Sequence, residues 1–294
     1  MNTLARGLKV KATGAAPKIK PVTHVLLLSD LHVGSKHAVC PPDFMCLDDG
    51  RDALTPEQEW LWHQWGEFIK WARHRLEGKE WILMVNGDVT EGVHHKIVDL
   101  MHHDPAVHSA AAARLLAPVV QISGRQPFFT RGTRTHVGNA GEHFVGKSLN
   151  AVHDPDLNPR DDGERYHARY AWVLRMNEAH VLSVRHHITV TQRTWTEGTA
   201  MSSALVNECE NKRRSGHTVP TIIARAHRHV PSVFQSLSGT CVVTPAWQLM
   251  TDHTYKVVPD SVPHVGGMVL DLSGDQVGVH TWTRPQPEGA VVRV

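Results

Sequence analysis

The clearest pattern along the chain is a set of five short apolar runs, each followed at once by Asp or His or by a polar loop that contains His. Runs of four to eight apolar residues between loop signals are typical of buried strands. The runs span residues 25–29, 81–86, 127–131, 181–185 and 221–226. In the same order they lead into Asp30-Leu31-His32, Gly87-Asp88, Gly132-Thr133-Arg134-Thr135-His136, His186-His187 and His227-Arg228-His229. Because loops after neighbouring strands meet at one edge of an open α/β sheet, the pattern predicts that these side chains converge.

The segments between the runs carry helical signals. Thr55 is placed to cap a helix with Pro56 at its first position and Gly78 beyond its end. Further helices are predicted at 106–120, 141–151 and 197–214, and helices between successive strands indicate parallel crossover units. A hairpin of segments 166–175 and 179–184 starts a second sheet, which is followed by strands predicted at 233–237, 240–244, 268–272 and 277–282.

The order of the runs indicates one elaborated domain over residues 21–294. Residues 1–20 contain five basic residues and no acid, which predicts a disordered basic arm. The irregular stretch 33–54 is long for a loop inside a compact domain, and such loops are often lids or binding loops. We therefore expect a lid-like loop at 33–54.

Composition excludes several classes of protein. The formal net charge of +2 gives no general reason for polyanion binding. The four cysteines form no C-x-x-C pair, no run approaches the roughly 20 apolar residues of a membrane span, and the start lacks the apolar core of a signal peptide. These features predict a cytoplasmic protein without membrane segments. The 23 histidines exceed what one metal site needs.

The residue types in the five clusters indicate a site for two metals. A carboxylate can bridge two cations, and neutral imidazole is the commonest side-chain ligand of transition metals. Mixed Asp and His ligands suit two divalent ions, with Mn expected first and Fe, Ni or Zn as alternatives.

The five blocks resemble those of the calcineurin-like metallophosphoesterase family, which read D-x-H, G-D-x-x-D or E, G-N-H-D or E, a lone H, and G-H-x-H. The second block here continues to Glu91, and the fifth reads Ala226-His227-Arg228-His229. The resemblance covers about residue 24 to about residue 250. It implies an α/β fold, namely a four-layer αββα sandwich of two mixed β-sheets flanked by helices.

The resemblance also implies a ligand set. Asp30, His32 and His229 would hold one metal, and Asp88 would bridge both. His186 and His227 would hold the second metal, with His187 as the alternative to His186. Glu91, at the family's acidic position, is expected to orient a ligand rather than to bind metal.

The third block departs from the family pattern. Thr133 stands where the family has the Asn that binds the second metal, and His136 follows two positions later than the family's catalytic His. His136 is therefore a candidate both for the acid that protonates the leaving group and for a ligand of the second metal. Asn139 is a further candidate ligand. The block is similar to a G-T-x-x-H-x-G variant of phage and prophage phosphoesterases.

Four residues are candidates for substrate binding. Arg134 and Arg228 follow ligand positions and are suited to clamp phosphate oxygens, with surface salt bridges as the alternative. His94 and His95 either line the pocket or are solvated loop residues.

The implied reaction is phosphoester hydrolysis by a metal-bridging hydroxide, with Asp88 and His136 as catalytic residues. A phosphodiesterase or nuclease acting on nucleic acid or nucleotides is expected first, because of the basic arm, the Arg213-Arg214 pair and the phage-like third block. A phosphomonoesterase for a small or protein-bound phosphate is the alternative. A second alternative is an inactive metal-binding member that acts as a binding protein, and a complete second metal site would argue against it.

Overall fold

The computed structural model describes residues 21–42, 54–93, 99–137, 141–153, 163, 165–189, 196–257 and 260–288. The predicted basic arm, half of the predicted lid-like loop (residues 43–53), His94, His95 and Asn139 lie outside the described residues.

Strands and helices alternate along the first half of the chain, and strands dominate the second half. The strands are β1 His24–Leu28, β2 Trp81–Asn86, β3 Phe128–Thr130, β4 Trp172–Arg175, β5 Val181–Val184, β6 Ile222–Arg225, β7 Ser232–Ser236, β8 Gly239–Val243, β9 His264–Asp271 and β10 Gly278–Pro285. The helices are α1 Pro56–Leu76, α2 Pro105–Ser123, α3 Arg134–Val137, α4 Gly141–Ser148, α5 Glu197–Arg214 and α6 Asp252–Val257.

The strands form two mixed five-stranded sheets, with orders β10-β9-β1-β2-β3 and β4-β5-β6-β8-β7. In the first sheet β1, β2 and β3 are parallel and β9 and β10 are antiparallel. In the second, β5, β6 and β8 are parallel, and β4 and β7 are antiparallel edge strands. The parallel crossovers expected for the first sheet are thus confirmed.

Strand β1 shows how four layers arise from its sequence. All five of its residues are buried, as both faces of a central strand must be. Leu26 and Leu28 belong to the core shared with α1 and α2, whereas Val25 and Leu27 face residues of the second sheet such as Leu182. A third apolar cluster packs the second sheet against α5. The protein is therefore a four-layer αββα sandwich of two mixed sheets.

Helix α1 forms as its sequence predicts. Thr55 Oγ1 accepts a hydrogen bond from the Gln58 backbone N–H, and Gln58 Oε1 accepts one from the Thr55 N–H, so the two residues form a capping box. The buried face of α1 carries Trp65 and Phe68, whose rings contact Trp247. The Phe68 ring also contacts Trp282 on β10, which holds α1 against the first sheet.

The segment before β4 differs from its prediction. Only residues 172–175 of the predicted strand 166–175 join the second sheet. The Arg131 N–H donates to the Arg169 carbonyl at 2.7 Å, and the Trp172 Nε1–H donates to the Phe129 carbonyl at 2.7 Å. The segment first follows the β3 edge of the first sheet and then crosses to the second sheet. The prediction was too long because a strand-like sequence pattern does not show which sheet a residue joins.

The described start of the predicted lid-like loop packs onto the protein. Val33 and Val39 are buried, and the Val39 N–H donates to the Trp247 carbonyl at 3.0 Å. Over the described part of the chain, no helix is both long enough and apolar enough to cross a membrane.

Candidate metal centre

The loops that follow β1, β2, β3, β5 and β6 meet at one edge of the sandwich, as the sequence predicts. The Asp30 N–H donates to the Gly87 carbonyl at 3.0 Å, and the His32 N–H donates to the Asp88 carbonyl at 2.9 Å, which ties the first two loops together. The Ala226 N–H donates to the His186 carbonyl at 2.8 Å and ties two loops of the second sheet. The predicted ligands therefore come from both sheets.

The backbone at the predicted ligands is strained. Among the described residues, six other than glycine have a positive φ, and five of them are Asp30, His32, Asp88, His227 and His229, with φ between 45° and 74°. The left-handed region is unfavourable for residues with a Cβ, and such residues collect at functional sites. Strain at these five positions indicates that the loops are shaped for side-chain placement.

Two glycines allow the loops to approach. A Cβ on Gly132 would collide with the carboxylate and backbone of Asp88, and a Cβ on Gly87 would collide with the His186 ring and with Gly132. Gly87 also has a φ of 77°. A side chain at position 132 would displace Asp88, and a side chain at position 87 would displace the His186 ring.

We call Asp30, His32 and His229 the first half of the centre. One ligand atom from each of these side chains lies within 4.8 Å of the others. The His32 Nδ1–H donates to Glu91 Oε2 at 2.8 Å, which leaves His32 Nε2 buried without a hydrogen-bond partner. Asp30 Oδ1 is also buried without a hydrogen bond. Because buried polar atoms are almost always paired, these two atoms fit a cation between them.

Glu91 also organises residues around the first half. Its Oε2 accepts a second hydrogen bond from Gln248 Nε2 at 3.0 Å. His136 Nδ1 lies 3.8 Å from Glu91 Oε1, and the His136 ring lies 4.7 Å from the His32 ring in an edge-on contact. The predicted catalytic histidine therefore lies next to the first half, against His32 and Glu91.

We call Asp88, His186 and His227 the second half. Their ligand atoms and one from Asp30 lie within 4.8 Å of one another. The His186 Nδ1–H donates to the Asn86 carbonyl at 2.7 Å, and His186 Nε2 lies 2.9 Å from Asp88 Oδ2. The carbonyl fixes the ring so that Nε2 faces the centre, which is the usual arrangement of a metal-binding histidine.

Thr133 orients the carboxylate of the second half. Its backbone N–H donates to Asp88 Oδ1 at 2.5 Å, and its Oγ1–H donates to Asp88 Oδ2 at 3.0 Å. Thr133 Oγ1 also lies 3.3 Å from His227 Nδ1. Thr133, which stands where the resemblance implies an Asn ligand, thus contacts the two predicted ligands Asp88 and His227.

Asp30 joins the two halves. Its Oδ1 lies 3.5 Å from His229 Nε2 and 3.8 Å from His186 Nε2. Asp88, which the resemblance makes the bridge, groups with the second half. Among the described residues, Asp30 is the carboxylate that belongs to both ligand groups.

The electrostatics of the centre suit a bound cation. Burial alone would raise the pKa of the Asp30 carboxyl, but His186 and His229 outweigh it and lower that pKa to about 2. Burial opposes the positive charge of His186, but the carboxylates of Asp88 and Asp30 raise its pKa to about 10. Two buried carboxylates thus hold a positive charge in the space between the loops, and metal binding there would release the His186 proton.

The remaining predicted site residues fall into two groups. The Arg228 guanidinium pairs with Glu197 and its side chain is only 4% exposed, whereas Arg134 is exposed at the start of α3. His187 is exposed, and its ring centroid lies 4.9 Å from those of His186 and His227. Arg228 thus supports the loop between His227 and His229, and Arg134 and His187 face solvent.

Several residues that hold the predicted ligands in place were not among the site residues predicted from the sequence. Asn86 holds His186 through its carbonyl, Gln248 binds Glu91, and the buried Glu142 accepts the Gly132 N–H at 3.1 Å. Burial and then the Asp88 charge raise the pKa of Glu142 to about 7. Asn86 is the last residue of a buried strand, and a polar residue in such a run is the only sequence signal that singles it out.

No protein-family model matches the sequence, and no curated protein matches it. In structure the chain is similar to vacuolar protein sorting 29 of Cryptosporidium parvum, at 13% identity over 91% of this chain and 100% of the other, with a TM-score of 0.40. It is similar to Vps29 of Entamoeba histolytica in complex with Zn²⁺, at 10% identity over 89% and 98%, with a TM-score of 0.41. It is also similar to an archaeal phosphodiesterase, at 9% identity over 88% and 99%, with a TM-score of 0.41. The assignment of the site rests on its own geometry.

Proposed function

We propose that the protein is a phosphodiesterase with a centre of two divalent metal ions, and that its substrates are nucleic acids or nucleotides. The observation that carries the proposal is the pair of adjoining ligand groups, which share Asp30 and together hold two carboxylates and four imidazoles. Oxygen and imidazole donors of this kind suit Mn, Fe, Ni and Zn.

The residues present fit two ions. Asp30, His32 and His229 would hold the first ion, and Asp88, His186 and His227 the second, with Asp30 shared. Two such ions would supply an activated water molecule as the nucleophile and would neutralise the charge that develops on the phosphoryl group. Glu91 and the Asn86 carbonyl keep the rings of His32 and His186 in place.

His136 is the residue placed to protonate the leaving oxygen. It lies against Glu91 and His32 at the first half rather than against His186 and His227, and its side chain is 21% exposed. Glu91 Oε1 orients the His136 ring from one side. This position favours the acid role of His136 over the role of a ligand for the second metal.

The charge around the centre favours a diester over a monoester. A phosphomonoester carries close to two negative charges at neutral pH, whereas a diester carries one. Of the two arginines beside the ligands, Arg228 is neutralised by Glu197 and Arg134 is the exposed one. A diester, with one negative charge, needs less positive charge from the protein than a monoester does. The single exposed arginine beside the ligands therefore suits a diester better.

The test compares two synthetic esters. We expect Mn-loaded protein to hydrolyse bis-p-nitrophenyl phosphate faster than p-nitrophenyl phosphate. Asp88→Asn is expected to lower the diester rate about a thousandfold, because the second half loses its carboxylate ligand. Asp275→Asn, which removes an exposed carboxylate outside the centre, is the matched control and should not change the rate.

Other outcomes would contradict the proposal. Faster monoester cleavage that is lost in Asp88→Asn would establish the phosphomonoesterase alternative. Failure to cleave either ester, with two ions bound per chain, would establish a metal-binding protein without turnover.

A further inference from the structure

The second half of the centre has fewer side-chain ligands than its family counterpart. The family's Asn ligand is replaced by Thr133, whose hydroxyl donates to Asp88 Oδ2 and whose N–H donates to Asp88 Oδ1. Both polar groups of Thr133 thus serve as donors to a neighbouring carboxylate. A neutral hydroxyl so engaged is a poor substitute for an amide oxygen as a ligand.

His136 does not take the place of that Asn among the described side chains. It groups with His32 and Glu91, and its ring contacts the His32 ring. In this position it belongs with the first half, and it shares no ligand group with His186 or His227.

His187 does reach the second half. One nitrogen from each of His186, His187 and His227 lies within 4.8 Å of the others. The His187 ring stands nearly perpendicular to both neighbours, at 79° to His186 and 72° to His227, with both ring centroids 4.9 Å away. Three imidazoles whose nitrogens are this close, next to a buried carboxylate, form the donor arrangement of a metal site.

We infer that His187 is a ligand of the second metal and takes over the role of the missing Asn. The inference rests on the proposed dinuclear centre and assigns one of its ligands. His187 closes the second half from the solvent side, since it is exposed while His186 is buried. With three imidazoles and Asp88, the second half suits Zn, Fe, Co or Ni better than Mn, which favours oxygen ligands.

The test measures metal binding by the full chain rather than activity. Metal-free protein is dialysed against Co²⁺, and bound metal is counted by elemental analysis while visible absorption reports the coordination of each ion. We expect the wild type to bind two Co²⁺ per chain. His187→Ala is expected to weaken the second ion at least about tenfold and to change its absorption band, and the first ion should be unaffected.

The matched control is His217→Ala, which removes an exposed histidine between α5 and β6 that belongs to none of the ligand groups. It corrects for Co²⁺ that binds to surface imidazoles, and we expect it to bind as the wild type does. Because His187 is exposed, its substitution should shift the melting temperature of the metal-free protein by no more than roughly 2 °C.

Two outcomes overturn the inference, and they are distinguishable. If wild type and His187→Ala both bind two ions with equal affinity, His187 is no ligand, and the dinuclear centre stands without it. If the wild type binds a single ion, the dinuclear proposal fails and the inference fails with it.

Discussion

The two halves of the metal centre are prepared for a cation in different ways. In the first half, hydrogen bonds run outward, from His32 to Glu91 and from Gln248 to Glu91, and the ligand atoms His32 Nε2 and Asp30 Oδ1 remain without hydrogen bonds. In the second half, hydrogen bonds run between the ligands themselves, as from His186 Nε2 to Asp88 Oδ2. In the first half the ligand side chains are held in place, but their ligand atoms lack hydrogen bonds. In the second half ligand atoms already form hydrogen bonds with each other without metal.

This difference predicts an order of metal binding. An ion that enters the first half gains His32 Nε2 and Asp30 Oδ1 as ligands without breaking a hydrogen bond of either atom. An ion that enters the second half must displace the hydrogen bond between His186 and Asp88 and the proton that it carries. We therefore expect the first half to bind metal more tightly. The following predictions test this comparison from the largest expected effect to the smallest.

The second half depends on α5 for its support, and breaking that support should have the largest effect. Glu208 on α5 forms a buried ion pair with Arg225, which precedes the His227 loop, and accepts a hydrogen bond from Ser183 on β5 at 2.6 Å. Removal of one partner of a buried ion pair costs about 3–5 kcal/mol. We expect Glu208→Gln to lower the free energy of unfolding by this amount, measured by urea denaturation.

Glu210→Gln is the control for that substitution. Glu210 pairs with Arg213 on the exposed face of the same helix, and exposed pairs contribute about 0–1 kcal/mol. Equal effects of the two substitutions would show that the Glu208 pair does not support the second half.

Removal of metal should have the next largest effect. An ion present at 100 times its Kd stabilises the folded protein by about 2.7 kcal/mol. For a chain of 294 residues this corresponds to a decrease in melting temperature of roughly 4–5 °C when a chelator removes one ion. Asp30→Asn, which alters the ligand shared by both halves, should abolish this shift, and a shift that survives in the variant would place the stabilising ion elsewhere.

Glu91→Gln should distinguish the two halves directly. Gln at position 91 lacks the negative charge that holds the His32 ring. Loss of the hydrogen-bond partner of a metal ligand lowers metal affinity about 10-fold to 100-fold. We expect the first ion to weaken by this factor in a calorimetric titration, while the second ion keeps its affinity. Equal weakening of both ions would mean that the halves are not independent.

The smallest expected effect is a pH dependence of the Glu208 pair. Burial alone would raise the pKa of the Glu208 carboxyl, but Arg225, Ser183 and Arg185 outweigh it, so the pKa lies below its ordinary value of 4.5. A carboxyl with a lowered pKa in the folded state stabilises the protein above its unfolded pKa, and this stabilisation is lost as pH falls through the folded pKa.

The difference in unfolding free energy between wild type and Glu208→Gln should therefore be constant at neutral pH and narrow below about pH 4.5. Urea denaturation at a series of pH values measures it. A difference that stays the same down to the acid transition would contradict the lowered pKa.

The fold could be predicted from the sequence because it follows from local patterns. Buried strands are apolar runs in the sequence, and the loops that contain Asp30, Asp88 and His227 follow these runs directly, so the three residues are expected at one edge, where the structure brings them together. The choice of His186 over His187 as a ligand stays a prediction; His186 is buried, and its Nδ1–H donates to the Asn86 carbonyl.

The supporting contacts could not be predicted because they join residues far apart in the chain. Gln248 and Glu91 are 157 positions apart, and no periodic pattern links them. The role of Thr133 as a donor to Asp88 follows from the close approach at Gly132, which depends on tertiary structure. The short helices α3 and α6 also escaped prediction, since segments of four and six residues give too little periodicity.

The left-handed backbone at five ligand positions has an evolutionary consequence. Most residues with a Cβ cost roughly 1–2 kcal/mol in that conformation, whereas glycine costs less and aspartate and asparagine adopt it more readily than the rest. Selection for the proposed metal site would have to offset this cost mainly at His32, His227 and His229. In a descendant that no longer needs metal, drift toward glycine or asparagine at these three positions would stabilise the fold. We therefore expect the loss of the centre to be hard to reverse, because each such replacement makes the ancestral residue costlier to restore.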